Sequence, residues 1–345
     1  MTPPRERSME EKFPAKNRMP AKLRGASIAL AALVVCALAA GSARGQASYP
    51  SQGIRLIVPY AAGGVPDTVA RFVGQRLQER IGQSVVVENR PGGNGSVAAA
   101  AIAAAPADGY TLLVTDSAML SVNPLFFKQL AYSAQNDFVP VALLARAPLF
   151  LAVHPDLPVG TLREFIDYVK ARPGEVNYGS SGIGSTHHLT MEAVKAALHL
   201  NMTHIPYRGA GQSVPALLGG HVQALFSAYP SLKGAVEGNR VKLIATNGLR
   251  RSPLAPDVPA LAEVIPGFDL ITLIGIYARV GTPTPVVRKI ATEAVAIVAQ
   301  PDVVPQFAVL GMEPAGEGPD AFGRAVADEI ERVTKVVESA GIKPE

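Results

Sequence analysis

The chain has 345 residues and a formal net charge of +4, from 32 basic and 28 acidic side chains, with no tryptophan and a single cysteine. That length allows two domains with cores of their own, and one cysteine excludes an internal disulfide framework. Residues 1–47 hold eight of the basic and three of the acidic residues, so the rest carries 24 against 25. The basic excess therefore belongs to the N-terminus and gives no ground for nucleic-acid binding.

The N-terminus has the pattern of a secretory leader. Basic residues from Arg5 to Arg24 precede an uncharged Ala-, Leu- and Val-rich run over 28–40, and small residues follow up to Gly45-Gln46-Ala47. A charged start, a short apolar middle and a small-x-small end form a signal peptide. The apolar run is shorter than the roughly 20 residues a membrane-spanning helix needs. Cleavage is expected after Ala47, with Ala43 as the alternative, giving a periplasmic protein that begins at Ser48. Cys36 lies within the apolar run and reads as one more apolar residue of the leader, because Leu33-Val34-Val35 lacks the small residue a lipoprotein site requires.

From residue 54 the pattern alternates between strand and helix. Ile54-Arg55-Leu56-Ile57-Val58 is β-rich and closed by Pro59; Pro66 opens a helix with Val69, Val73, Leu77 and Ile81 on one face, stopped by Gly82. A strand at 85–87, an Ala-rich helix ending near Pro106 and a strand at 110–115 follow. Further strands are predicted at 150–153, 177–179, 202–205, 222–226, 242–246 and 270–278, with helices at 161–171, 186–198, 212–219, 285–299 and 319–339. Such alternation predicts an α/β protein with parallel sheets covered by helices on both faces.

Two glycine-rich strand-to-helix turns carry the functional signal. The first is Tyr60-Ala61-Ala62-Gly63-Gly64-Val65-Pro66-Asp67, and the second is Tyr178-Gly179-Ser180-Ser181-Gly182-Ile183-Gly184-Ser185-Thr186. Glycine lets a ligand approach the backbone, and the helix behind presents unpaired N–H groups at its positive dipole end, so each turn is a candidate anion site. The hydroxyls of Ser180, Ser181, Ser185 and Thr186 add neutral donors suited to a carboxylate. Plain helix capping by Asp67 and by Ser185 or Thr186 accounts for either turn taken alone. Two such turns, one in each half of an exported chain, favour binding across a cleft.

Other chemistries leave no pattern. There is no phosphate-binding G-x-x-x-x-G-K-[ST] and no H-E-x-x-H, and Gly179-Ser180-Ser181-Gly182 is not a nucleophile elbow. His188 and Glu192 share a helix face, but that spacing alone is not a metal site. No cofactor and no metal are expected. Two competing readings stay open: a secreted α/β hydrolase or lyase using Ser185 with a histidine, and a sensor that reports its ligand to a membrane partner.

The chain resembles the extracytoplasmic solute receptors of tripartite tricarboxylate transporters, the Bug or TctC type. The resemblance rests on Tyr60-Ala61-Ala62-Gly63-Gly64 with Asp67 and Arg71, Glu88-Asn89-Arg90-Pro91-Gly92-Gly93-Asn94-Gly95, and Pro106-Ala107-Asp108-Gly109-Tyr110. It continues through Gly179-Ser180-Ser181-Gly182-Ile183-Gly184-Ser185 with His188-Leu189, Pro206-Tyr207-Arg208-Gly209, Leu217-Leu218-Gly219-Gly220 and Gly281-Thr282-Pro283. It implies a periplasmic-binding-protein fold of two α/β lobes joined by a two-strand hinge, with lobe one at 48–148 plus 276–345 and lobe two at 149–275. It implies a receptor, not an enzyme, that captures a small carboxylate and delivers it to membrane transporter subunits, acting as a monomer. Matching positions make Tyr60, Ala62, Gly63, Gly64, Asp67 and Ser117 ligand candidates in lobe one. Ser180, Gly184, Ser185, His188, Tyr207, Gly209 and Ser227 are the candidates in lobe two.

The chain departs from the family pattern at three places. Ser227 stands where many relatives carry Asp, Leu273 lies nearest a usual tryptophan, and Val65-Pro66 replaces a small hydroxyl pair. A serine brings no negative charge to offset a buried ammonium, so the ligand is expected to lack an amino group.

Overall fold

The computed structural model describes residues 49–342. The expected leader, Cys36, both cleavage sites, Ser48 and the last three residues lie outside them.

Two sheets organise the chain. The first opens with β1 (Ile54–Val58), α1 (Val65–Ile81), β2 (Val85–Asn89), α2 (Ser96–Ala104) and β3 (Thr111–Asp116). Two short helices, α3 (Ala118–Ser121) and α4 (Asn123–Phe126), lead to β4 (Phe138–Ala147). The second sheet is built from β5 (Leu149–Val153), α5 (Leu162–Ala171), β6 (Asn177–Ser180), α6 (Thr186–Leu198) and β7 (Thr203–Pro206), then α7 (Ala210–Leu218), β8 (Ala224–Ala228), α8 (Tyr229–Glu237) and β9 (Lys242–Thr246). The chain then returns to the first sheet with β10 (Thr272–Arg279), α9 (Thr284–Val298), α10 (Val303–Val309), β11 (Glu313–Glu317) and α11 (Pro319–Ala340). The strand orders are β11-β4-β10-β3-β1-β2 and β7-β6-β8-β5-β9. The molecule is a two-lobe α/β protein, as expected.

The apolar run at β1 has its cause in this layering. Ile54, Leu56 and Val58 pack into one core and Ile57 into another on the opposite face, all fully buried. A strand covered on both faces reads as a continuous hydrophobic stretch, not an alternating one. In the second sheet Leu151 and Phe226 face one core while Phe150 and Leu225 face the other.

The sheets are mixed, which corrects the expectation of parallel ones. β1 lies parallel to β2 and β3, and β6 parallel to β7 and β8, but β10 and β5 run antiparallel to their neighbours. The reversal follows from the connections: β5 and β10 are the strands by which the chain enters one sheet from the other, with no crossover helix to turn them round. Only Pro148 separates β4 from β5. The return path is pinned to the outgoing one by Asn247, which is fully buried. Its side chain accepts the Leu149 N–H at 2.8 Å and donates to the Leu270 carbonyl at 2.7 Å. Near the same region α11 reaches across, with Val333 and Val337 packed against Val122 and Phe126 from the first half and Leu189 of α6.

Candidate functional site

Both glycine turns lie at the carboxyl ends of parallel strands, ahead of a helix, where α/β proteins collect ligands. In the first, Ala61, Ala62 and Gly63 are exposed, and Gly63 has φ +86°, a conformation that costs a side-chain-bearing residue. Gly64 is the N-cap of α1 and supplies no side-chain cap. Asp67, only 2% exposed, ties the turn together instead. Its carboxylate accepts the Gly63 N–H at 2.8 Å, Arg71 Nε at 3.0 Å and Asn89 Nδ2 at 2.8 Å. Burial works against its charge, but the hydrogen bonds from Arg71, Gly63 and Asn89 outweigh it and hold the carboxyl below its ordinary range. Asn89 also donates to the Tyr60 carbonyl at 3.0 Å, and the Tyr60 hydroxyl donates to Asp116 at 2.8 Å.

The second turn is held by neutral groups. Ser185 is the N-cap of α6: its Oγ accepts the His188 N–H at 3.2 Å and donates to the Gly182 carbonyl at 2.7 Å. Ser180 Oγ accepts the Gly182 N–H at 3.1 Å and meets His204 Nε2 at 2.7 Å. The Gly184 N–H donates to His188 Nδ1 at 3.1 Å. Gly184 has φ +75°, and a Cβ there would sit 3.3 Å from the ring of Phe126, so α4 meets this turn from the first sheet's side.

These bonds sort the sequence-selected residues. Gly63, Asp67, Ser180, Gly184, Ser185 and His188 are engaged with one another or with their own turns; they build the shape of the site. Tyr60, Ala62 and Gly64 line or flank the open first turn. Tyr207 and Gly209 are fastened to the second turn, since their N–H groups donate to the carbonyls of Ser180 (3.1 Å) and Ser181 (3.3 Å). Ser117 is tied to β10: its N–H donates to the Leu273 carbonyl at 2.7 Å, and its Oγ accepts the Leu273 N–H at 3.1 Å. Ser227 is completely buried, and its Oγ has no hydrogen-bond partner among the described residues.

Donors remain for a ligand. The leading N–H groups of α6, at Thr186 and His187, have no carbonyl one turn back to pair with. Ser181 Oγ is buried and unpartnered. Beside the first turn, a cavity of about 370 Å³ is lined by Tyr60, Ala61, Gly92, Asn94, Met119 and Asn123. A larger cavity of about 540 Å³, lined by Arg146, Asp269, Leu273, Glu317 and Arg332 among others, touches neither turn. The smaller one borders the first turn and is not lined by the second. Among the described residues no cluster of three or more His, Cys, Asp or Glu is placed to hold a metal, and no helix is long and apolar enough to cross a membrane.

Sequence reading missed Asn89, Asp116, Phe126 and His204. Asn89 stands opposite Val58 and His204 opposite Tyr178 in parallel pairs, so strand register was the signal that would have found them. The hydrolase reading finds no support in the geometry: Ser185 Oγ is occupied by the Gly182 carbonyl and the His188 N–H, with no imidazole nitrogen bonded to it.

Residues 69–342 match the family described as "Tripartite tricarboxylate transporter family receptor". Protein BugT of Bordetella pertussis is 34% identical over 298 residues, covering 86% of this chain and 91% of BugT. A Rhodopseudomonas palustris protein solved with adipate is 34% identical, covering 86% of this chain and 100% of that one, with a TM-score of 0.71. MatC of the same organism, solved with malate, is 31% identical over 84% of this chain and 100% of that chain, at a TM-score of 0.65.

Proposed function

Because the chain belongs to the receptor family of tripartite tricarboxylate transporters, we propose that it captures a small carboxylate between its two glycine turns and hands it to membrane transporter subunits. Family and fold are those of periplasmic solute receptors, not enzymes. One observation carries the reading: each sheet ends a parallel strand in a glycine turn with a helix N-terminus behind it, and each turn fixes its own shape through internal bonds. A turn that needs no ligand to hold its geometry is preorganised for one. The carboxylates seen in two relatives, adipate and malate, fit that chemistry.

The two sheets act as lobes; because β10 (Thr272–Arg279) lies whole in the first sheet, the second boundary moves back from the expected 275/276, giving 49–148 plus 272–342 for the first lobe and 149–271 for the second, with the passages at Pro148 and between Asn247 and β10 as the hinge. Tyr60, Ala62 and Gly64 approach the carboxylate from lobe one, and the turn at 180–188 approaches it from lobe two, with Tyr207, Gly209 and Ser227 behind it. The protein is a periplasmic monomer released by cleavage after Ala47. Ser227 places no negative charge in lobe two, so the ligand has no amino group to pair.

A thermal-shift screen of succinate, glutarate, adipate and malate against aspartate and glutamate tests the reading. Stabilisation by at least one amine-free acid supports it. Stabilisation by the amino acids alone contradicts it.

A further inference from the structure

Three stacked rings back the second turn. The ring of His204 lies 4.8 Å from that of Tyr178 and 4.0 Å from that of His188, with interplanar angles of 17° and 14°. Each imidazole is joined to one end of the turn: His204 Nε2 meets Ser180 Oγ, and His188 Nδ1 accepts the Gly184 N–H. An Nδ1 that accepts has no proton of its own, so neutral His188 carries its proton on Nε2. The charged groups facing the rings are Glu192 and Lys195 of α6. They pair with each other at 2.6 Å, and the Tyr178 hydroxyl donates to Glu192 as well.

We propose that His188 and His204 are positioning residues for the ligand: as a neutral stacked pair they hold the turn from Ser180 to Gly184 in the shape that grips a carboxylate, without touching the ligand. The inference rests on the reading that this turn receives the carboxylate.

Protonation of His188 would place one N–H against another and release Gly184 from its tie. Burial already opposes that event. It lowers the tendency of His188 to take a proton, and His204 is pushed down to about 4, first by burial and then by the repulsion that two protonated neighbours would suffer. A second effect has the opposite sign, because an imidazolium beneath a bound carboxylate would attract it. A scaffold and an electrostatic contact therefore predict opposite responses to acid.

The test is calorimetric titration with succinate, glutarate and adipate from pH 7 to pH 4, on wild type, His188→Ala and His188→Asn. Asparagine Oδ1 can accept the same N–H and does not titrate. At pH 7, His188→Ala is expected to bind at least tenfold more weakly, and His188→Asn to recover most of that loss. On acidification wild-type affinity should fall more steeply than that of His188→Asn; protonation of the ligand is common to both and cancels in the comparison. Long-range ¹H–¹⁵N spectra of the ligand-free protein should show the His188 proton on Nε2. A proton on Nδ1, wild-type binding by His188→Ala, or an affinity that rises in acid relative to His188→Asn overturns the proposal. If His188→Ala does not fold, the pH comparison with His188→Asn decides alone. A wild type that binds none of the acids overturns the carboxylate reading and this inference together, whereas ordinary wild-type binding with an unaffected His188→Ala overturns this inference only.

Discussion

Under the proposed function the two turns do the same job with different materials. The first is held by a buried carboxylate and its donors, Asp67 with Arg71, Asn89 and the Gly63 N–H. The second is held by hydroxyls and neutral imidazoles, Ser180 and Ser185 with His188 and His204. The contrast teaches that an anion-binding turn needs its backbone N–H groups aimed, and that the means of aiming is free to vary. It also means that the two halves of one site should fail under different conditions.

The largest expected effect comes from the charged scaffold. Asp67→Ala removes the buried acceptor shared by the Gly63 N–H, Arg71 and Asn89, leaving Asn89 only the Tyr60 carbonyl, and should cost about 2–3 kcal/mol of stability. Urea unfolding checks this; a loss under about 0.5 kcal/mol would mean that the first turn stands without its carboxylate. The neutral scaffold should be softer. Ser185→Ala removes an N-cap from α6 and should cost about 1 kcal/mol by the same measurement, a smaller penalty that sharpens the contrast between the turns.

Acid should separate the two scaffolds. Asp67 ionises below the ordinary carboxylate range, so its contribution is present above the unfolded-state value and is lost only as pH falls through the lower folded value. His204 is lowered by folding as well, but from a higher starting value, so its window lies at higher pH. The unfolded chain takes a proton near the ordinary histidine value while the folded one resists until about 4, so stability falls between about pH 6.5 and pH 4 and then levels off. At a half-buried ring this is worth on the order of 1 kcal/mol once solvent screening is allowed for. Unfolding midpoints of wild type and His204→Gln across that interval should converge as the pH drops. Parallel curves would show that the imidazole does not titrate against the fold.

How much of this was legible follows from what local sequence can encode. The alternation from Ile54 to Asp116 was readable because each strand is a short apolar run and each helix has its own Pro or Gly boundary. β4, with Pro140 inside it, and β11, which reads Glu-Pro-Ala-Gly-Glu, carry the residues that ordinarily argue against a strand. They exist because neighbouring strands complete them. The antiparallel sense of β5 and β10 is a property of the path between sheets, which no window of residues contains. The same division holds at the site. The glycine turns announced themselves, but the partners of Asp67 and Ser180, Asn89 and His204, are 22 and 24 residues distant and are brought in by register.

The account stands on both turns gripping one carboxylate, and a charge placed at either tip tests that most directly. Ala62 and Ile183 are exposed, one on each turn, with Ile183 at 58%, so Ala62→Glu and Ile183→Glu should fold normally while setting a negative charge against the ligand. Calorimetry with the amine-free acid that wild type binds should show both variants weakened by roughly tenfold, the scale of a partly screened like-charge contact. Wild-type affinity in either variant would place the ligand on one turn alone and contradict the account.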